Sequence, residues 1–271
     1  MPKMVDVDET VVPQVQQVPK APERKTDTND ANYYKVEGLP SGGKFYPEGT
    51  EIYGRPLKVL EVKQLSSINE ENADNIINSV LKKAIKGINV DDILIADKLY
   101  IMFWLRSNTY KESCYTMKYN CNTCKQDAQF EFLLEHLGIR SIDKAFTPEK
   151  LTFEMKGNKD RISFSFPVIK QERIADEFKT NATYITNVDS DIVGLCVLIK
   201  TINGEQSTML DKYNYITTLN PMDYAYLISY INKWSFGINP FVNVTCEHCG
   251  GTSVMGVSFQ GDFWVPEISI E

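Results

Sequence analysis

The spacing of apolar residues changes several times along the chain, and each change predicts an element. From Ile76 the run Ile76, Ile77, Val80, Leu81, Ala84 and Ile85 recurs every three to four positions, the period of one helix face, and Gly87 stands just past the last turn. Ser67 and Glu70 precede it at capping-box spacing, so a helix is expected near 67–86. A second helix is expected from about Asp92 to Ser107. It places Ile93, Ala96, Leu99, Tyr100, Phe103 and Trp104 on one broad face, a core surface rather than a cofactor box.

Elsewhere the pattern shortens to that of strands and turns. Residues 33–62 alternate short strand-like runs with Gly and Pro, which predicts turns and one or two strands. Residues 115–134 and the segment beginning at Phe241 each read as strand, tight turn and strand, and LTFEM and ISFSF flank a turn at Gly157–Asp160 to make a hairpin near 151–166. Between them lies a helical stretch: IKQERIADEF, then SDIVGLCVLIKTI, then a helix with Asn220 as N-cap and Pro221 at its first position, running to about Trp234. Residues 1–32 fit neither period. They hold Pro2, Pro13, Pro19 and Pro22 and no aromatic residue, so they cannot build a core and read as an extended arm that a neighbouring subunit would order.

Composition narrows the function. The 271 residues are 42% hydrophobic and 24% charged, ordinary for a globular chain. Lys and Arg number 29 against 36 Asp and Glu, and the net charge of −7 repels a polyanion, so nucleic-acid binding would need a local basic patch. Asp6, Asp8 and Glu9 sit where a signal peptide needs an apolar core, and the window Ile93–Leu105, broken by Asp97 and Lys98, is short of the roughly 20 residues that span a bilayer. Folding in a cytoplasm with no membrane span is therefore expected. Gly42-Gly43-Lys44 lacks the spacing of a phosphate loop. His136 and His248 are the two histidines, and HExxH, GxSxG and GxGxxG are all absent, so no catalytic residue is assigned.

The strongest local signals are Cys121-Asn122-Thr123-Cys124 and Cys246-Glu247-His248-Cys249. A CxxC turn puts two sulfurs on one side of a bend, and two such knuckles facing each other would offer four thiolates to a structural zinc ion. Metal-free thiols or disulfides remain open, while a redox role is disfavoured because neither pair opens a helix. The 121 residues between Cys124 and Cys246 far exceed a usual zinc loop. His248 is expected to point away from the sulfurs, and Cys196, inside IVGLCVLI, reads as a core residue; Cys114 falls outside the pattern.

The segments LPSGGKFYP, RPLKVLEVKQLSSI, FWLRSNTY, YNCNTC and the distant CEHC together make the chain resemble the baseplate hub-subunit family of T-even-type contractile-tailed phages. The resemblance implies a non-enzymatic structural or assembly component of a contractile tail baseplate. It would be located in the virion tail baseplate after assembly in the host cytoplasm. Its partners would be other baseplate or tail subunits, self-association included, with neither nucleic acid nor membrane. The alternative is a zinc-ribbon nucleic-acid-binding accessory protein, against which stand Asp127, Glu131 and Glu135 beside Lys118 and Lys125, and the lack of Lys or Arg over 241–262. The expected fold is α+β: one mixed helical and short-strand domain over 33–271, closed by a zinc-ribbon-like pair of CxxC hairpins at 115–134 and 241–260. Aromatics in the turn-rich opening, Tyr33, Tyr34, Phe45 and Tyr46, are candidate partner contacts.

Overall fold

The structure, a computed structural model, describes residues 32–69, 71–110, 115–133, 137–182, 187–257 and 261–265. The expected arm up to residue 31, Glu70, Cys114, His136 and the tail beyond residue 265 lie outside the described residues.

The chain opens with β1 (Tyr34–Lys35) and β2 (Tyr53–Gly54), which form a small antiparallel sheet with β3 (Ile85–Lys86) in the order β1-β2-β3. Between β2 and β3 come α1 (Val59–Ser66) and α2 (Ala73–Ala84). This corrects two expectations. The segment expected to hold only turns and strands ends in a helix, because Glu61 in its first turn accepts the Lys58 N–H at 2.8 Å and both arms of the buried Arg55 fork at 2.7 and 2.8 Å. An eight-residue helix with Val59 and Leu60 exposed shows little periodicity, and this buried ion pair anchors it instead.

The second correction concerns the start of the next helix. Ser67 ends α1 rather than opening α2, its hydroxyl donating to the Gln64 carbonyl at 2.8 Å. A turn in which Asn69 and Asn72 each bond the other's backbone then delays α2 to Ala73. The apolar face of α2 is as the spacing predicts, with Ile77, Val80, Leu81 and Ala84 buried.

A short 3₁₀ turn, Val90–Asp92, leads into α3 (Ile95–Thr109), which is buried on nearly every side. The hairpin of β4 (Tyr115–Asn120) and β5 (Asp127–Phe132) follows, then β6 (Ile139–Arg140), β7 (Thr152–Glu154) and β8 (Arg161–Phe164). Next are α4 (Glu172–Asn181), α5 (Ser190–Leu198), β9 (Ile199–Ile202), β10 (Glu205–Gln206), α6 (Met209–Thr218) and α7 (Pro221–Trp234). The run SDIVGLCVLIKTI is thus not helical throughout. From Ile199 its β-branched residues pair with β8, Ile202 opposite Ile162 and Thr201 opposite Ser163, in a four-stranded sheet ordered β10-β9-β8-β7. The chain closes with β11 (Gly237–Ile238), the hairpin of β12 (Phe241–Thr245) and β13 (Thr252–Gly256), and α8 (Gly261–Trp264).

Two hydrophobic cores result. The first gathers α1, α2, α3, both CxxC hairpins and the Phe263–Trp264 pair. The second is built mainly from residues 142–236: Phe153, Ile162 and Phe164 of the larger sheet pack on Val193, Cys196, Ile216, Leu227 and Ile231 of α5–α7. The chain leaves the first core through β6 and re-enters through β11, and these two strands pair with each other, Ile139 opposite Ile238. Arg140 adds a bolt at this crossing, donating to the carbonyls of Asn232 and Lys233 at 2.7 and 3.0 Å where α7 ends.

The aromatics of the opening segment are half-buried, and Tyr33, Phe45 and Tyr46 each have partners within the chain. Phe45 stacks among Phe146, Phe166 and Phe236 at centroid distances of 5.0–5.4 Å. Tyr46 packs against both cores, and its hydroxyl donates to Asp97 at 2.7 Å while accepting the Leu94 N–H at 3.1 Å. The hydroxyl and N–H of Ser41 bond the same fully buried carboxylate, at 2.5 and 3.0 Å. The LPSGGKFYP turn is therefore a clamp on α3. Tyr33 donates to the Lys83 carbonyl at 3.2 Å and lies under the Lys86 ammonium.

Candidate metal centre

Each CxxC segment is the tip of a two-stranded hairpin, and the two tips repeat one backbone pattern. Cys121 N–H bonds the Gln126 carbonyl and Lys125 N–H returns to the Cys121 carbonyl, both at 2.9 Å. Cys246 N–H bonds the Gly251 carbonyl and Gly250 N–H returns to Cys246, again at 2.9 Å. Such a loop forces the residue after the second cysteine into the left-handed region. Gly250 takes it freely at φ 69°, whereas Lys125 adopts φ 61° against its own Cβ. At Gly251 a side chain would meet Thr123 Oγ1 at 2.9 Å and Cys249 Sγ at 3.3 Å, so the close approach of the knuckles excludes one there.

The fold brings the four predicted residues together. Cys121 Sγ lies 3.8 Å from Cys249 Sγ, Cys124 Sγ lies 3.9 Å from Cys246 Sγ, and all four sulfurs fall within 4.8 Å of one another. Four sulfurs about 2.3 Å from a central ion form a tetrahedron with edges of about 3.8 Å, so the set has the dimensions of a four-thiolate zinc site. None of the five described cysteines is in a disulfide. Cys121 and Cys246 are buried, Cys124 is half-buried and Cys249 is exposed, so the cluster sits at the rim of the first core with one side toward solvent.

Electrostatics points the same way. The N–H groups of Cys124 and Thr123 pull the Cys121 thiol down to about 6. At Cys124 the Gln126 N–H also pulls down, but burial and the sulfurs of Cys249, Cys121 and Cys246 outweigh it and push the thiol up to about 11. Four thiolates this close cannot all hold their charge without a cation among them. With a divalent ion bound they can, and no coordination position is left for water or substrate. Such a saturated site can hold structure by tying the two hairpins together.

The remaining candidates separate cleanly. His248 turns away from the sulfurs, its Nε2 lying 3.1 Å from the Asp127 carbonyl of the opposite hairpin, so it links the hairpins from outside the cluster. Cys196 is fully buried in the second core, its thiol pushed up to about 12 by burial, and serves as packing. Besides the Arg55–Glu61 pair, two neighbouring buried charges on α3 were not foreseen from the sequence. One is Asp97 with its clamp; the other is Lys98, whose ammonium bonds Glu172 of α4 at 2.7 Å and Asp74 of α2 at 3.2 Å. Their trace in the sequence is a charged pair interrupting the most apolar window.

A family model described as T4 bacteriophage base plate protein matches residues 31–206. The chain belongs to this family. The base plate match takes in Cys121 and Cys124, the Asp97 clamp and the larger sheet, and ends before Cys246. No curated protein and no solved structure gives a match. Among the described residues of this base plate family member, no helix is long and apolar enough to cross a membrane.

Proposed function

We propose that the protein is a non-catalytic structural or assembly component of a contractile phage tail baseplate, a hub subunit acting through contacts with other baseplate or tail subunits. Residues 33–271 act as one unit, tied at the ends of the first core by a zinc ion on Cys121, Cys124, Cys246 and Cys249 in a zinc-ribbon-like pair of hairpins. The family match supports the baseplate role. Four sulfurs within 4.8 Å of one another carry the zinc reading, because a divalent ion lets all four stay as thiolates at that spacing and the set has the size of a tetrahedral four-thiolate site. The absence of an open ligand position at the cluster accords with a role in assembly rather than catalysis.

The test is a conditional knockout during infection. Loss of the protein should leave filled heads without functional tails. Normal tails combined with a block in DNA synthesis or late transcription would overturn the baseplate reading in favour of nucleic-acid binding.

A further inference from the structure

We propose that the corner where α1 starts and α2 ends is a docking surface for an acidic segment of another subunit, one with apolar side chains among its Asp and Glu residues. We rest on the baseplate role above only for where such a partner is met. Val59 and Leu60, the first two residues of α1, are 73% and 76% exposed. The same corner carries five exposed lysines: Lys58 and Lys63 beside and within α1, Lys82 and Lys83 in the last turn of α2, and Lys86 on β3. Arg55 draws the two helix ends together, its N–H donating to the Ala84 carbonyl at 3.1 Å and its guanidinium to the Lys83 carbonyl at 3.0 Å. Lys83 Nζ then reaches the Gln64 side chain of α1 at 3.4 Å.

The carboxylates around this corner are already taken. Glu61 is buried and held by Arg55, Asp91 lies 2.9 Å from Lys82, and Glu51 is paired with Lys35. Among the described residues, Lys58, Lys63 and Lys83 form no ion pair. A local excess of positive charge thus stands on a chain whose net charge is −7. Helix chemistry accounts for only part of it. Lys63, Lys82 and Lys83 lie in last turns and suit the helix dipoles, but Lys58 stands at the N-cap of α1, where a cation opposes the dipole and the side chain has no oxygen to accept an N–H. A local misfit beside two exposed apolar residues marks a surface shaped for binding rather than for folding. Charge and apolarity together set the partner. Carboxylates meet the lysines, and apolar side chains between them cover Val59 and Leu60. The phosphates of a nucleic acid would match the charge and leave the apolar pair in water. A lipid surface would hold weakly, since Val59 and Leu60 together bury fewer carbons than one myristoyl chain, itself only a marginal anchor.

The test uses the full-length protein and fluorescence anisotropy with a labelled synthetic peptide of alternating Glu and Leu pairs. The same peptide with Ala for Leu, an oligothymidylate, and vesicles of phosphatidylserine and phosphatidylcholine are the comparison probes. The Glu–Leu peptide should bind about ten-fold tighter than any of these, with an affinity that falls as salt is raised. Leu60→Ser, and Lys63→Glu combined with Lys83→Glu, should each weaken it about five-fold or more, whereas Lys144→Glu, at an exposed position by the second core, should not. Equal binding of the Glu–Ala peptide, tighter binding of the oligonucleotide or the vesicles, or indifference to both variants would each overturn the proposal. During infection, benzoyl-phenylalanine at position 60 should cross-link to a segment of another subunit rich in Asp and Glu. Cross-links to the chain's own residues, or to a segment without acidic residues, would overturn it as well. Melting temperature and zinc content of each variant show that the fold is kept. Because the peptide assay needs no infection, failure of the baseplate role, seen in the knockout, and failure of this docking surface are told apart.

Discussion

Removing the metal should lower stability by an amount that the topology sets. Bound at four sulfurs, the ion cross-links two knuckles with 121 residues between them. In the chain-entropy model, closing a loop of roughly 100 residues is worth about 4.7 kcal/mol. Against a total stability of about 5–15 kcal/mol, that is a large share without being all of it, since both cores remain. At about 2–4 °C per kcal/mol for a chain of this size, the metal-free protein should melt below the loaded one by up to about 20 °C.

The assay is thermal unfolding by circular dichroism on protein as purified, after chelation and after zinc is restored, with elemental analysis of each sample. Cys246→Ser should reproduce the chelated state and lose its response to zinc. Because a hydroxyl buried in place of a thiol destabilises by itself, Cys196→Ser serves as control: it is equally buried, lies in the other core, and should leave zinc content near one per chain. A purified protein with less than a tenth of an equivalent of any metal and a melting temperature unmoved by chelator would refute the reasoning, as would retention of zinc by Cys246→Ser at the wild-type level.

Further outcomes follow from single contacts. Asp97→Ala strands the hydroxyls of Ser41 and Tyr46 in the interior and should destabilise by about 2–4 kcal/mol in urea titration, whereas Asp97→Asn, which keeps acceptor capacity, should lose less. Burial raises the Asp97 carboxyl against the opposing pull of Ser41 and Tyr46, so its contribution is full below the unfolded carboxylate range and is lost as pH rises through the folded value; Asp97→Asn should flatten that part of the stability profile. Gly157→Ala would bring a methyl within 2.3–2.7 Å of the Asp223 carboxylate that accepts the Gly157 N–H at 2.8 Å, and should lower stability by roughly 1–3 kcal/mol by thermal melt. Asn220→Ala removes the cap that accepts the Asp223 N–H at 2.9 Å and, by the same measurement, should cost about 1 kcal/mol.

Elements held by local chemistry were legible in the sequence. The α7 cap at Asn220 with Pro221 next, the 151–166 hairpin and both CxxC turns lie where their residues place them, because each is closed by contacts within a few positions. The start of α2 was misread since Ser67 can end one helix as readily as open another, and an Asn69–Asn72 turn settled the matter. Helix α6 has a readable signal that went unused: Thr208 and Asp211 bond each other's N–H groups at 3.1 Å, a capping box three residues apart. The Asp97 clamp was illegible for a different reason. Its partners are 51 and 56 positions away, and no local period records a contact over that span.

The separation of the two cysteine pairs, which argued against a shared site when read as loop length, has a topological explanation. Nearly all of the residues between Cys124 and Cys246 fold into a core of their own, built on the β10-β9-β8-β7 sheet and α5–α7. That core joins the first through β6 and β11, and because these two strands pair directly, the excursion begins and ends at one place. The Arg140 bonds to the end of α7 fix the direction in which the chain returns. The effective loop closed at the cysteines is therefore only the short run from β5 to β6 and from β11 to β12, and the knuckles are pre-positioned before any ion binds. It follows that the 4.7 kcal/mol cross-link value is an upper bound, reached only where the β6–β11 crossing has opened in the unfolded chain. A variant weakened at that crossing, such as Ile238→Ala, should depend more steeply on zinc than the parent. The measure is the difference in melting temperature with and without chelator, and an equal difference in both proteins would show that the crossing does not pre-position the site.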